Sequence, residues 1–214
     1  MDASTVVTRP SGADLRRRLP SSIVGMAIIG AAIALSLRAE LGLAPWDVLH
    51  EGLETLTGLP FGPLVMLVGL LILVAWIPLG QRLGIGTVLN VLIVGPSVDL
   101  FLAVIPEADP LWSRVGYLAL SILLFGIGGG LYIGSALGPG PRDGLMTALT
   151  AKGFVLWKVR TVLELSVLAT GFALGGTIGP GTVVLAFALG PVTHLALARF
   201  HIPVEEHRSE VLGE

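Results

Sequence analysis

The residues best suited to chemistry in this chain come in two short strings of one design. LGLAPWDVL at Leu41–Leu49 returns at Leu137–Leu145 as LGPGPRDGL, matching Gly42, Pro45, Asp47 and Leu49 to Gly138, Pro141, Asp143 and Leu145. In each string the proline stands where a helix begins, since its fixed φ and missing N–H suit a first helical position. Asp47 and Asp143 then fall in the first turn, beside the positive end of the helix dipole. The residue between proline and aspartate differs: Trp46 in one copy, Arg142 in the other.

Glu164 lies near the middle of a long apolar run, the costliest place for a carboxylate. Arg160 stands one helical turn before it and is its expected partner. Two readings of the pair are open: a self-neutralising structural link, or a carboxylate that desolvation prepares to carry a proton for coupling or substrate binding. Asn90, the single asparagine, serves either an inter-helix hydrogen bond or a ligand contact. Asp99 and His194 occupy matched places in the two copies, each following a Gly-Pro, and are either solvated span ends or entry and exit proton sites. Metal chemistry is not expected, because His50, His194, His201 and His207 are scattered without ligand spacing. With no cysteine, thiol nucleophiles and disulfides are excluded. No cofactor and no catalytic residue are expected.

The elements that must position these groups follow from composition. Apolar residues make up 53% of the chain and charged residues 13%. Mean hydropathy is +0.87. This is a membrane protein, and with net charge −2 and no basic stripe it has no affinity to expect for nucleic acid. Runs of about 20 apolar residues, enough to cross the hydrocarbon, lie at about 20–40, 61–80, 85–105, 114–137, 156–176 and 180–200. The expected fold is all-α: six transmembrane helices, with a short non-spanning helix after the first span of each half. The first run is read as a retained span rather than a cleaved signal, because Arg38 and Glu40 close it. A second pair of strings, Gly84–Asp99 and Gly179–His194, opens the last span of each half with Gly-x-Gly-Thr, a tight turn whose threonine caps the new helix. The glycines of Gly126–Gly130 offer a flat face for a neighbouring helix.

Recurrence of both strings in the same order, at a shift of 95 to 96 residues, reads as an internal duplication. Three crossings per copy would invert the second copy relative to the first, the plan of many secondary transporters. Residues 1–19 and 202–214 are then polar cytoplasmic tails of one membrane domain at 20–201, with repeats at about 20–105 and 114–200. Placing the amino terminus inside leaves Arg38 and Arg114 as the only basic residues outside, the charge asymmetry of a multi-pass protein of the bacterial inner membrane. The short helix after the first span is amphipathic. It either lies on the membrane surface with Trp46 as an interfacial anchor or dips in to line a cavity.

The strings GLAPWDVLHEGL, GIGTVLNVLIVG, ALGPGPRDGLM and VRTVLEL resemble the bacterial YczE/YyaS/YitT family over about residues 20–200. The resemblance is nearer the YczE branch, because the soluble carboxy-terminal domain typical of the YitT branch is missing. It implies an integral membrane protein, in a family whose members are described as candidate transporters or uncharacterised membrane proteins, and it carries no substrate or catalytic residue over to this chain. The leading expectation is a small-solute transporter, working by alternating access around Asp47, Asp143, Asn90, Arg160 and Glu164. Arg160 or Arg142 would hold an anionic group and Glu164 or an aspartate would take a coupling proton. One alternative is a non-transporting scaffold or maturation factor that presents the short helices to a membrane partner protein, in which case changes at Glu51 or Glu54 should hurt more than changes at Glu164. Another is an intramembrane hydrolase using Ser135 and His194. The expected partners are the lipid bilayer and a small solute, with a homo-oligomer also open.

Overall fold

The computed structural model describes residues 12–200. Over that range the chain is eight helices and no strand: α1 Gly12–Ala39, α2 Pro45–Thr57, α3 Phe61–Leu79, α4 Ile85–Val104, α5 Leu111–Gly134, α6 Pro141–Ala151, α7 Leu156–Ala173 and α8 Pro180–Phe200. Five of them, α1, α3, α4, α5 and α8, are long and apolar enough to cross a membrane. Of the six expected spans five meet that measure; α7, whose 18 residues include Lys158, Arg160 and Glu164, carries more charge than a purely apolar span. Outward faces of the long helices carry Leu67, Leu71, Val74, Ile77, Leu123 and Phe187 exposed. Such surface is stable against hydrocarbon and costly against water.

α1 begins at Gly12, inside the segment read from sequence as a tail, and its Arg18 is buried and donates to the Ser135 carbonyl at 3.1 Å. The tails at 1–11 and 202–214 lie outside the described residues. α1 packs along α5 and α4, α5 along α8, α2 along α7, and α3 against both α4 and α6. The α1–α5 contact is backbone to backbone: a Cβ on Gly25 would meet the Gly128 carbonyl at 2.7 Å, and a Cβ on Gly128 the Gly25 carbonyl at the same distance. Small residues allow that approach. Beside it lies the core of Met26, Ile33, Phe61, Val94, Val98 and Tyr132.

Contacts sort the helix ends into two groups. At one end Arg38 pairs with Glu107 at 3.0 Å and Arg114 with Glu40 at 2.7 Å, and the Thr177 amide donates to Glu51. At the other, Arg18 reaches Ser135 and Lys152 reaches the Pro78 carbonyl. The loop before α2 belongs to the first end and the loop before α6 to the second. Each loop is bolted to the other half of the chain: Gly181 N–H donates to Leu41 O at 2.7 Å and Gly86 N–H to Leu137 O at 2.9 Å. The bolts need glycine at two turns. Gly42 has φ 106° and Gly138 φ 129°, and a Cβ would meet Gly179 N at 2.5 Å and Gly84 Cα at 2.9 Å respectively. Both obstacles, conformational and steric, exclude a side chain. Thr87 and Thr182 accept from the amides of Gly84 and Gly179 at 3.3 and 3.2 Å.

Candidate functional site

The amino-terminal ends of α2 and α6 meet in the middle of the bundle. Each starts at a proline after an extended residue, Ala44 or Gly140. Arg142, the second residue of α6, lies over the indole of Trp46, the second residue of α2, 5.6 Å from the ring centroid. Trp76 of α3 fixes α6 by donating its indole N–H to the Pro141 carbonyl at 3.2 Å, its ring lying so close to Gly144 that a Cβ there would come within 2.0 Å of Cζ2. Tyr132 of α5 donates to Gly138 O at 3.2 Å. Around Gly140, a Cβ would stand 3.3 Å from the Tyr132 hydroxyl, 3.6 Å from Asp143 Oδ2 and 3.8 Å from Asn90 Nδ2.

These groups border a cavity of about 450 Å3. Its wall brings together Trp46, Asn90, Arg142, Asp143, Arg160, Glu164 and His194. The size is that of a small-molecule site: mostly apolar, with a few convergent polar groups. Arg160 and Glu164 form the expected i, i+4 ion pair at 2.9 Å. Arg142 has no hydrogen bond or ion pair with a described residue, so its guanidinium keeps its donors for something else.

Two of the sequence candidates lie elsewhere. Asp47 is 1% exposed and is not on the cavity wall. It sits behind that wall beside His50, 3% exposed, whose Nδ1 is 3.7 Å from Asp47 Oδ1, and neither atom has a hydrogen-bond partner. His50 does border the cavity, and its ring meets Phe61 edge-on at 5.5 Å between centroids. Burial pushes the His50 imidazole below its ordinary range; Asp47 opposes this and the Arg142 charge adds to it. Asp99 accepts from the Gly62 amide at 2.8 Å and so caps the start of α3. Glu54, at the end of α2, is pushed up by burial and by its neighbours Glu51 and Asp99.

Trp46 is buried, at 7% exposure, and α2 is not a surface helix with an aromatic anchor. Glu51 is engaged with Thr177 rather than offered outward. Ser135 donates its hydroxyl to Tyr132 O at 2.6 Å and is not on the cavity wall that His194 borders. The sequence reading missed His50, Tyr132 and Trp76 as site residues. His50 was within reach of it, because a spacing of three from Asp47 puts both on one helical face.

The profile of DUF6198, a family of unknown function, matches residues 16–197. An uncharacterized protein of Haemophilus influenzae is 35% identical over 189 residues, covering 86% of this chain and 87% of that protein. The uncharacterized membrane protein YczE of Bacillus subtilis is 33% identical over 177 residues, covering 81% and 82%. The uncharacterized protein YyaS of the same organism is 25% identical over 181 residues, covering 80% and 88%. No solved structure matches.

Proposed function

We propose, from the premise that this chain belongs to the DUF6198 family, that it is a membrane transporter for a small solute bearing an anionic group. The observation that carries the reading is one cavity onto which two short helices open their amino-terminal ends, with Arg142 beside it lacking an anionic partner. Helix amino termini attract anions through free N–H groups and the dipole, and a guanidinium adds a full charge with a bidentate fork. Asn90 and Asp143 are placed to read the polar remainder of the solute. The Arg160–Glu164 ion pair forms part of the cavity lining.

In this reading the two halves are inverted repeats with six crossings, both termini being cytoplasmic. α7 is the sixth crossing; its 18 residues reach about 27 Å, and the ion pair lowers the cost of two of its charges. Support comes from the bolts at Leu41–Gly181 and Leu137–Gly86, which join positions related by the 95 to 96 residue shift, and from the loops before α2 and α6 belonging to opposite ends.

Alternating access would use a difference between the halves. α3 and α4 are sealed, since a Cβ on Gly62 would meet Gly95 O at 2.5 Å and one on Gly95 would meet Gly62 O at 2.4 Å. Gly190, the counterpart of Gly95 on α8, has open space before it and borders the cavity, and α7 makes no comparable packing on α8. Closure of α7 on α8 with release of α3 from α4 would expose the cavity to the other side.

The test is a thermal-stability screen of the purified full chain against small carboxylates, inorganic phosphate, nitrate and neutral analogues. At 100 times its Kd a ligand stabilises by about 2.7 kcal/mol. The expected result is stabilisation by at least one anion that Arg142→Ala loses. Equal stabilisation of Arg142→Ala, or response to neutral solutes alone, would overturn the reading.

A further inference from the structure

We infer that His50 and Asp47 form a proton site linked to the anion site, so that an anion entering beside Arg142 brings a proton onto His50. The inference rests on the reading of the cavity as an anion site. Its own ground is the pair itself. A histidine 3% exposed and an aspartate 1% exposed face each other at 3.7 Å, and Nδ1 and Oδ1 both lack a hydrogen-bond partner. A buried polar atom without a partner is costly, and here two of them stand just beyond bonding distance. A proton taken up by the ring makes it an imidazolium whose Nδ1–H can close on Asp47 Oδ1 and form an ion pair inside the protein. The proton enters from water through the cavity that His50 borders, and the same path returns it.

The link to the anion is electrostatic. His50 stands one turn beyond Trp46, whose indole carries the Arg142 guanidinium. α3 presents Phe61 and holds no ionisable group. The cavity's other charged and titratable groups are Arg142 and Asp143 of α6, Arg160 and Glu164 of α7, Tyr132 of α5 and His194 of α8. Arg160 and Glu164 neutralise each other. Arg142 opposes a second cation at His50, adding a smaller push to the burial that chiefly lowers the imidazole. An anion seated on Arg142 cancels that opposition. Anion affinity and proton affinity must then rise together, by the same factor in each direction. The transported unit is one anion with one proton.

The test follows histidine resonances of the full chain in detergent across pH, with the His50 signal identified by its loss in His50→Gln. The expected wild-type midpoint lies below that of a free histidine; it should rise in Arg142→Gln and stay low in Arg142→Lys, which keeps the charge. A His50 midpoint equal in wild type and Arg142→Gln would overturn the inference, as would a midpoint at the ordinary histidine value. A responsive His50 in a protein that binds no anion would leave His50 and Asp47 as a proton site sensing Arg142, and would remove both the link to an anion and the transport reading. Anion binding with His50 unresponsive would do the reverse.

Discussion

The Pro-Trp-Asp turn of α2 and the Pro-Arg-Asp turn of α6 share a backbone design and a bolt to the opposite half, yet their aspartates have opposite fates. Asp47 is sealed behind the cavity wall with His50, while Asp143 is exposed on the wall beside Arg142. The residue between follows suit: Trp46 is a buried platform and Arg142 a half-exposed cation resting on it. The symmetry lies in the scaffold and the chemistry in the departures from it. A strictly symmetric site would place two like charges together, and the observed one sets a cation on an aromatic face, which is attractive.

The comparison breaks most sharply at these middle residues. Trp46→Ala should destabilise the full chain by about 3–5 kcal/mol, as loss of a buried aromatic does. Arg142→Ala should cost less than about 1 kcal/mol in denaturation while abolishing anion binding. Similar unfolding costs for the two would erase the distinction between platform and ligand.

The glycine pair gives the next largest contrast. Gly95→Leu must force α3 from α4 and should cost about 1–3 kcal/mol or more. Gly190→Leu meets open space, so it should leave the unfolding free energy within about 0.5 kcal/mol of wild type while slowing solute uptake into liposomes. A strong loss of stability in Gly190→Leu would show that α7 and α8 are already closed.

The smallest effect is a pH dependence in the α2 half. Because the folded His50 binds its proton less readily than the unfolded chain, its contribution is present above the ordinary histidine value of 6.5 and is lost as pH falls through the lower folded value. Denaturation midpoints of wild type should therefore drop on acidification from 6.5 down through that lower value, and His50→Gln should flatten the decline. An equally steep decline in His50→Gln would assign it to other groups.

Much of the scaffold was legible because lipid leaves few options. Long apolar runs bounded by Gly and Pro had to be helices, and Pro45 and Pro141 marked two more. The Arg160–Glu164 pair was legible because its partners lie one turn apart on a single helix. What could not be read depended on meetings between distant segments. Nothing in LGLAPWDVL and LGPGPRDGL says which aspartate is buried; the short helices differ in their packing on α7, which lies much more fully along α2 than along α6. Arg18 looked like part of a tail because its acceptor, the Ser135 carbonyl, lies 117 residues away. α7 shows the limit of composition in the other direction, an apolar run whose charges keep it from reading as a plain span.

The central claim is that α2 and α6 enter from opposite sides and meet at one cavity. The chain has no cysteine, so Thr57→Cys, at the outer end of α2, and Lys152→Cys, just beyond α6, each supply a single exposed thiol. Labelling with a membrane-impermeant maleimide, in intact cells and in opened membranes, reports the side of each. The account predicts that Thr57→Cys reacts from outside the cell and Lys152→Cys only after the membrane is opened; reaction of both from the same side would contradict it.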